Sequence, residues 1–212
     1  MATANSVSDA HSAAIPARAG LVVFVAPMDP ESLENLFANL TALFPAEELL
    51  IATPNDTSGT AYPALRIIPT QATNAVWPLA ATDFVNAIHA AREHEARAIL
   101  MLGPGAESLS ESALRDLAGA VSNSAVDLAV PHYSLPPNAG LVNSAILYPL
   151  VRALFGSRVR FPLSIDMCFS IRMADRLAAT AQRWVHLNQP DAILWPVSEA
   201  AVSGLSVEEI YV

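Results

Sequence analysis

Residues 21–44 read LVVFVAPMDPESLENLFANLTALF, and this stretch decides the fold class. Leu21–Ala26 is an unbroken apolar run rich in Val, which suits a strand buried on both faces. Asp29 then offers a side-chain cap, and Pro30 a first helical residue with no amide to satisfy. Glu31 adds a negative charge at the positive end of the helix dipole. Leu33, Leu36, Phe37, Leu40, Leu43 and Phe44 recur at three- and four-residue steps, forming one face of an amphipathic helix that Pro45 stops.

The same alternation continues along the chain. Leu49–Ala52 and Leu65–Ile68 read as strands, separated by a loop holding Pro54, Asn55, Asp56, Gly59 and Pro63. Thr82 opens a second helix with an apolar face at Phe84, Val85, Ile88 and Ala91. Ala98–Leu102 (AILML) is the strongest buried-strand candidate. After Gly103-Pro104-Gly105, Ser108 and Glu111 have capping-box spacing for a helix to about Val121.

Val126–Val130 predicts a strand leading into a loop, His132–Ala139. A helix over Leu141–Phe155 is expected to kink at Pro149, because an interior proline removes a backbone hydrogen bond. Gly156 ends it. Beyond an extended piece at Arg160–Leu163, helices are expected near Asp166–Gln182 and Asp191–Ser203, then a strand over Val207–Val212. The class is therefore α/β, a mostly parallel sheet with helices on both faces. Ligands of such sheets sit beyond the carboxyl ends of the strands, here the loops at 27–29, 53–60 and 103–108. Residues 20–212 read as one domain, and the small, polar residues 1–19 as a disordered lead-in.

Composition narrows the function. At 53 % hydrophobic and 15 % charged, the chain can bury a full core. A net charge of −9 argues against nucleic acid as the partner, although a local Arg cluster still suits phosphates on a small molecule. All 11 basic residues are Arg. That excludes Schiff-base chemistry and a Walker-type lysine, whatever coding bias produced it. The single cysteine, Cys168, permits no internal disulfide or cysteine zinc cluster and reads as a small buried hydrophobe.

Runs such as Leu21–Met28 fall far short of the ~20 residues of a membrane span. The lead-in lacks an apolar signal core, so a cytoplasmic location is expected. A mean hydropathy of +0.37 points to a sticky face, hence a homo-oligomer or a partner subunit. No G-x-G-x-x-G follows any strand, which argues against a Rossmann dehydrogenase.

The most distinctive segment is Asn143–Ser170, NSAILYPLVRALFGSRVRFPLSIDMCFS. In its run of Tyr148, Pro149, Leu150, Arg152, Ala153, Leu154, Gly156, Arg158, Val159, Arg160, Pro162, Asp166 and Ser170, it resembles bacterial GT-A (family-2-like) glycosyltransferases. The branch is that near mannosylglycerate synthase and glucosyl-3-phosphoglycerate synthase. Val130–Tyr133 (VPHY), Ala26–Leu36 and Ala52–Thr60 resemble further pieces of that family in the expected order.

The resemblance implies transfer of a sugar from a nucleotide-diphosphate donor to a small acceptor. It implies donor contacts from Pro27, Asp29, Asp56 and Glu107, and anion or acceptor contacts from His132, Tyr133, Arg152, Arg158 and Arg160. Asp166 would orient or deprotonate the acceptor, and Asp191 would support it.

Three departures cut against activity. Where relatives carry Asp-X-Asp to hold a divalent metal on the donor diphosphate, this chain reads LGPGAES. No metal ligand is assigned, and Mg or Mn enters only if Glu107 replaces the missing aspartates. The family's acceptor Gly-Gly-Asp reads Ser164-Ile165-Asp166, putting a bulky residue where backbone should approach a ligand. The later segment that often supplies a metal-binding histidine in relatives has no counterpart in this sequence.

Other readings stand beside these. Glu107 also suits the helix N-terminus that follows it. The arginines suit a solvated helix end as well as an anion. His132 suits a surface loop as well as a sugar or base. His89 and His94, five apart, lack metal spacing, and Trp77, Trp184 and Trp195 read as packing residues. The alternative function is a non-catalytic domain that binds a nucleotide, a sugar phosphate or a protein.

Overall fold

The computed structural model describes residues 19–58, 62–73, 75, 77–123, 126–136 and 139–212. The lead-in expected over 1–19 lies almost wholly outside them. The strands are β1 Leu21–Val25, β2 Leu49–Thr53, β3 Ile67–Pro69, β4 Ala98–Leu102, β5 Leu128–His132, β6 Met167–Ser170 and β7 Val207–Tyr211. The helices are α1 Pro30–Leu43, α2 Ala81–Glu93, α3 Glu111–Ser122, α4 Tyr148–Phe155, α5 Ile171–His186 and α6 Pro196–Ser203. Among the described residues the strands form one sheet ordered β3-β2-β1-β4-β6-β5-β7, in which only β6 runs antiparallel to its neighbours.

Every residue of β1, β2 and β4 is buried, which is why these strands read as continuous apolar runs. Their side chains alternate between two cores. Val22 and Phe24 join α2 and α5 on one face, where Phe84 stacks on Phe169 at 6.2 Å between centroids. Val23 and Val25 join α1 and α3 on the other, with Leu36, Phe37, Leu114 and Leu117. Cys168 is fully buried there, and burial pushes its thiol well above the ordinary range.

Several local expectations are corrected. Asp166–Gln182 is not one helix: Met167–Ser170 is β6, and Ser170 caps α5 by accepting from the Met173 N–H. Asp191 does not open a helix, since α6 begins only at Pro196. The cap of α3 is Ser110, which accepts from the Ala113 N–H, while Ser108 closes the preceding 3-10 turn on the Gly105 carbonyl. The helix expected over Leu141–Phe155 is present: helical backbone runs from 141 through a π turn at Asn143–Leu147 into α4, with Pro149 just after that turn.

At the start of α2 the N-cap residue is Ala80, which has no side-chain acceptor. Asp83 compensates by accepting from the Ala80 N–H at 2.8 Å. Burial pushes its carboxyl up to about 6, against the backbone hydrogen bonds and helped by the nearby Asp191 charge. Its Oδ1 has no partner among the described residues.

The folded state therefore holds a proton that the unfolded chain releases at lower pH. Stability from this group is fully present below about pH 4 and is lost as pH rises through 6. Asp83→Asn is expected to remove a change of order 2 kcal/mol between pH 4 and 7, read from urea midpoints of the two proteins.

Candidate functional site

The antiparallel direction of β6 builds the site. Met167 pairs with Met101, so the residue before β6 arrives at the carboxyl end of β4. That residue is Asp166, 4 % exposed. Its Oδ1 accepts from the Gly103 N–H at 3.0 Å, and its Oδ2 accepts from the Tyr133 hydroxyl at 2.9 Å. Burial raises the Asp166 carboxyl above its ordinary range; the two donors pull it back, and the Glu107 charge adds to the rise. Burial and the Asp166 charge likewise push the Tyr133 phenol upward. Ile165 packs on the other side of Gly103: a Cβ there would lie 2.9 Å from Ile165 Cδ1 and 3.2 Å from its Cβ.

Asp166 and Tyr133 border a cleft of about 730 Å³, lined also by Pro104, Gly105, Asn143 and Phe161. A smaller hollow of about 260 Å³ adjoins it, sharing Tyr133, Asn143 and Phe161 and adding His132, Tyr148 and Arg160. Here the aromatic residues brace one another. His132 lies 4.5 Å from the Tyr211 ring, and Phe161 meets both His132 and Tyr133 edge-on. Arg160 stands over the Tyr148 ring at 4.6 Å, and Arg152 donates to the Tyr148 hydroxyl at 2.9 Å. The Arg152 hydrogen bond, with Arg160 beside it, holds the Tyr148 phenol below its ordinary range.

The remaining candidates divide. Asp29 accepts from the Glu31 and Ser32 N–H groups, which accounts for it as the cap of α1, and exposed Pro27 precedes it. Asp56 accepts from the Ser58 N–H in its own turn. Hydrogen bonds to those turns hold both carboxyls below the ordinary range. Glu107 accepts from the Gly105 N–H at 3.1 Å, closing its own loop. Arg158 lines a separate hollow with Phe155, and Asp191 lies beside α2, its carbonyl accepting from the Trp77 indole. Neither shares the cleft with Asp166.

Sequence reasoning overlooked Asn55, Asn143 and Glu209. Asn55 clasps the ends of β1 and β2, accepting from the Met28 N–H and donating to the Ala26 carbonyl and Thr53 Oγ1. Asn143 donates to the Arg160 carbonyl, and Glu209 accepts from the Arg160 N–H, with Glu209 Oε1 3.5 Å from His132 Nδ1. A signal existed for Glu209: a carboxylate among the apolar positions of a terminal strand is a polar group brought inward.

No family model matches the sequence, and no curated protein matches it. By structure, the chain is similar to glucosyl-3-phosphoglycerate synthase from Mycobacterium tuberculosis. In complex with phosphoglyceric acid, that enzyme matches with a TM-score of 0.54 and 12 % identity, over 92 % of this chain and 70 % of its own. Its complex with Mn2+, UDP and glucosyl-3-phosphoglycerate matches with a TM-score of 0.55 and 13 % identity, over the same shares. A mycobacterial protein matches with a TM-score of 0.53 and 14 % identity, over 93 % of this chain and 67 % of its own. The chain has a GT-A fold.

Within this GT-A fold, β4 runs into Gly103-Pro104-Gly105 and not into paired carboxylates. The residues present do not fit a divalent metal. Glu107 is turned to its own loop, and among the described residues no three Asp, Glu, His or Cys side chains converge as ligands. No described helix is long and apolar enough to cross a membrane.

Proposed function

We propose that this chain is a GT-A-fold binding protein that takes a sugar phosphate or nucleotide sugar in the cleft beside Asp166 and does not carry out metal-assisted sugar transfer. One observation carries the reading: a roomy cleft persists at the carboxyl edge of the sheet while the carboxylates that would hold a metal there are missing. Mostly apolar walls with a few convergent polar groups are what small-molecule sites use. Phe161 and Tyr133 supply aromatic wall to a sugar, Asn143 offers polar atoms to its hydroxyls, and Arg160 in the adjoining hollow offers a cation to a phosphate. The neighbour's printed ligands, UDP-glucose and phosphoglyceric acid, supply the classes to test first.

A second reading, metal-independent transfer, draws on the raised carboxyl of Asp166 and the arginines around Tyr148. A poised carboxylate could accept a proton, and a guanidinium could stabilise a departing diphosphate.

The deciding experiment incubates the protein with UDP-glucose and 3-phosphoglycerate, with and without Mn2+, and follows UDP release. The expected result is no release above buffer under any condition. Release abolished in Asp166→Asn would establish the second reading, and release requiring Mn2+ would overturn both.

A further inference from the structure

The cleft beside Asp166 and the hollow that adjoins it differ in chemistry. Leu109, Leu135, Val142, Leu147, Leu163 and Ile165 wall the larger space. Leu135 and Val142 stay 45 % and 64 % exposed, so this apolar surface is open to a ligand. Among the described residues lining it, Asp166 and Tyr133 carry the only ionisable side chains, and they are bonded to each other. Two of its serines are likewise turned to the protein: Ser164 Oγ donates to the Phe161 carbonyl and Ser108 Oγ to the Gly105 carbonyl. A charge or hydroxyl pushed along these walls loses water and finds few partners, whereas a hydrocarbon chain gains by leaving water.

The hollow is the reverse. Arg160 lines it beside Tyr148, and Arg152 donates to the Tyr148 hydroxyl. The ion pairs among the described residues leave both guanidinium groups without a carboxylate. Glu209 is occupied elsewhere, accepting from the Arg160 backbone N–H and lying 3.5 Å from His132 Nδ1. The two spaces meet at Tyr133, Asn143 and Phe161, which border both.

We propose that the ligand of this site is an amphiphilic phosphate, its phosphoryl group held at Arg160 in the hollow and an aliphatic chain lying along the apolar cleft. The inference rests on the cleft being a small-molecule site and names the class of its ligand. A guanidinium fork suits phosphate oxygens, and each methylene removed from water adds to affinity. A polar linker such as a sugar sits between the two ends, at Asn143. The ligand arrives as a free molecule and not from a bilayer, because a chain of net charge −9 is repelled by an anionic lipid surface.

The test is isothermal titration of the full chain, in EDTA, with ethyl, butyl and hexyl phosphate. Binding should tighten with chain length by at least about tenfold from ethyl to hexyl, a fully buried methylene being worth roughly fourfold. Arg160→Ala should weaken all three by about tenfold and keep the gain with chain length. Leu135→Asn combined with Val142→Asn should remove most of that gain and spare ethyl phosphate, with unchanged thermal melts verifying the fold. Equal affinity for the three chains overturns the inference and leaves the cleft a polar small-molecule site. Binding of UDP-glucose or 3-phosphoglycerate with none of hexyl phosphate does the same. A chain-length gain that the double variant leaves intact also overturns it, since the chain then lies elsewhere on the protein. So does binding to vesicles of phosphatidic acid without binding of hexyl phosphate. No binding of any of these molecules removes the inference together with the reading of the cleft.

Discussion

Phe169→Ala is expected to lower the free energy of unfolding by about 3–5 kcal/mol, with the slope against denaturant unchanged. Phe169 is fully buried in β6, pairs across the sheet with Ile99 and Leu128, and stacks on Phe84 of α2. Truncating the ring removes its transfer energy and leaves a cavity between sheet and helix that a four-residue strand hydrogen-bonded on both sides cannot collapse to fill. Since domains are stable by only about 5–15 kcal/mol, the variant should be partly unfolded in mild urea. Leu154→Ala, at a position 65 % exposed, serves as the control and should cost far less. A loss below about 1 kcal/mol for Phe169→Ala would mean that β6 does not lie between β4 and β5, and the placement of Asp166 would go with it.

The second large effect concerns the wall of the cleft. Gly103→Ala should destabilise by about 1–3 kcal/mol, because the new methyl meets the Ile165 side chain near its rigid base and not only at its flexible tip. Ile165→Ala alone should also destabilise, by opening a void beside Gly103. The double variant should recover part of both losses, giving an interaction energy of at least about 1 kcal/mol in a double-mutant cycle from urea melts. Additive losses would show that the two residues do not touch. The same contact explains how the cleft is bounded: Ile165 occupies the space over the β4 turn.

The parallel strands and the helices covering them were legible because each is a local pattern. Short apolar runs such as AILML between loop signals suit strands buried on both faces, and Asp29-Pro30 marks a helix start. The strand β6 was not legible. Four residues, MCFS, are too few to show a period, and the helical periodicity of α5 next to them extended the reading backward across Asp166. That error mattered, because the direction of β6 is what delivers Asp166 to the end of β4.

The site was legible in part. Asp166, Tyr133, His132 and Arg160 were singled out, and the fold brings them to one cleft and the hollow beside it. Their pairings were not visible, since Gly103, Asn143 and Glu209 reach them across 63, 17 and 77 residues of sequence. Asp29, Asp56 and Glu107 show the opposite failure. Each is a carboxylate in the right loop whose oxygen is already taken by a backbone N–H of the same turn.

The central claim is that the cleft binds its ligand without a metal. Isothermal titration of the protein with UDP-glucose, UDP and 3-phosphoglycerate, each in EDTA and again in Mn2+, addresses it directly. The account predicts binding of at least one of them with the same affinity in both buffers, lost or weakened at least tenfold in Arg160→Ala. Binding that appears only with Mn2+ would contradict it, because Asp166 and Glu107, the carboxylates near the end of β4, already accept from Gly103, Tyr133 and Gly105.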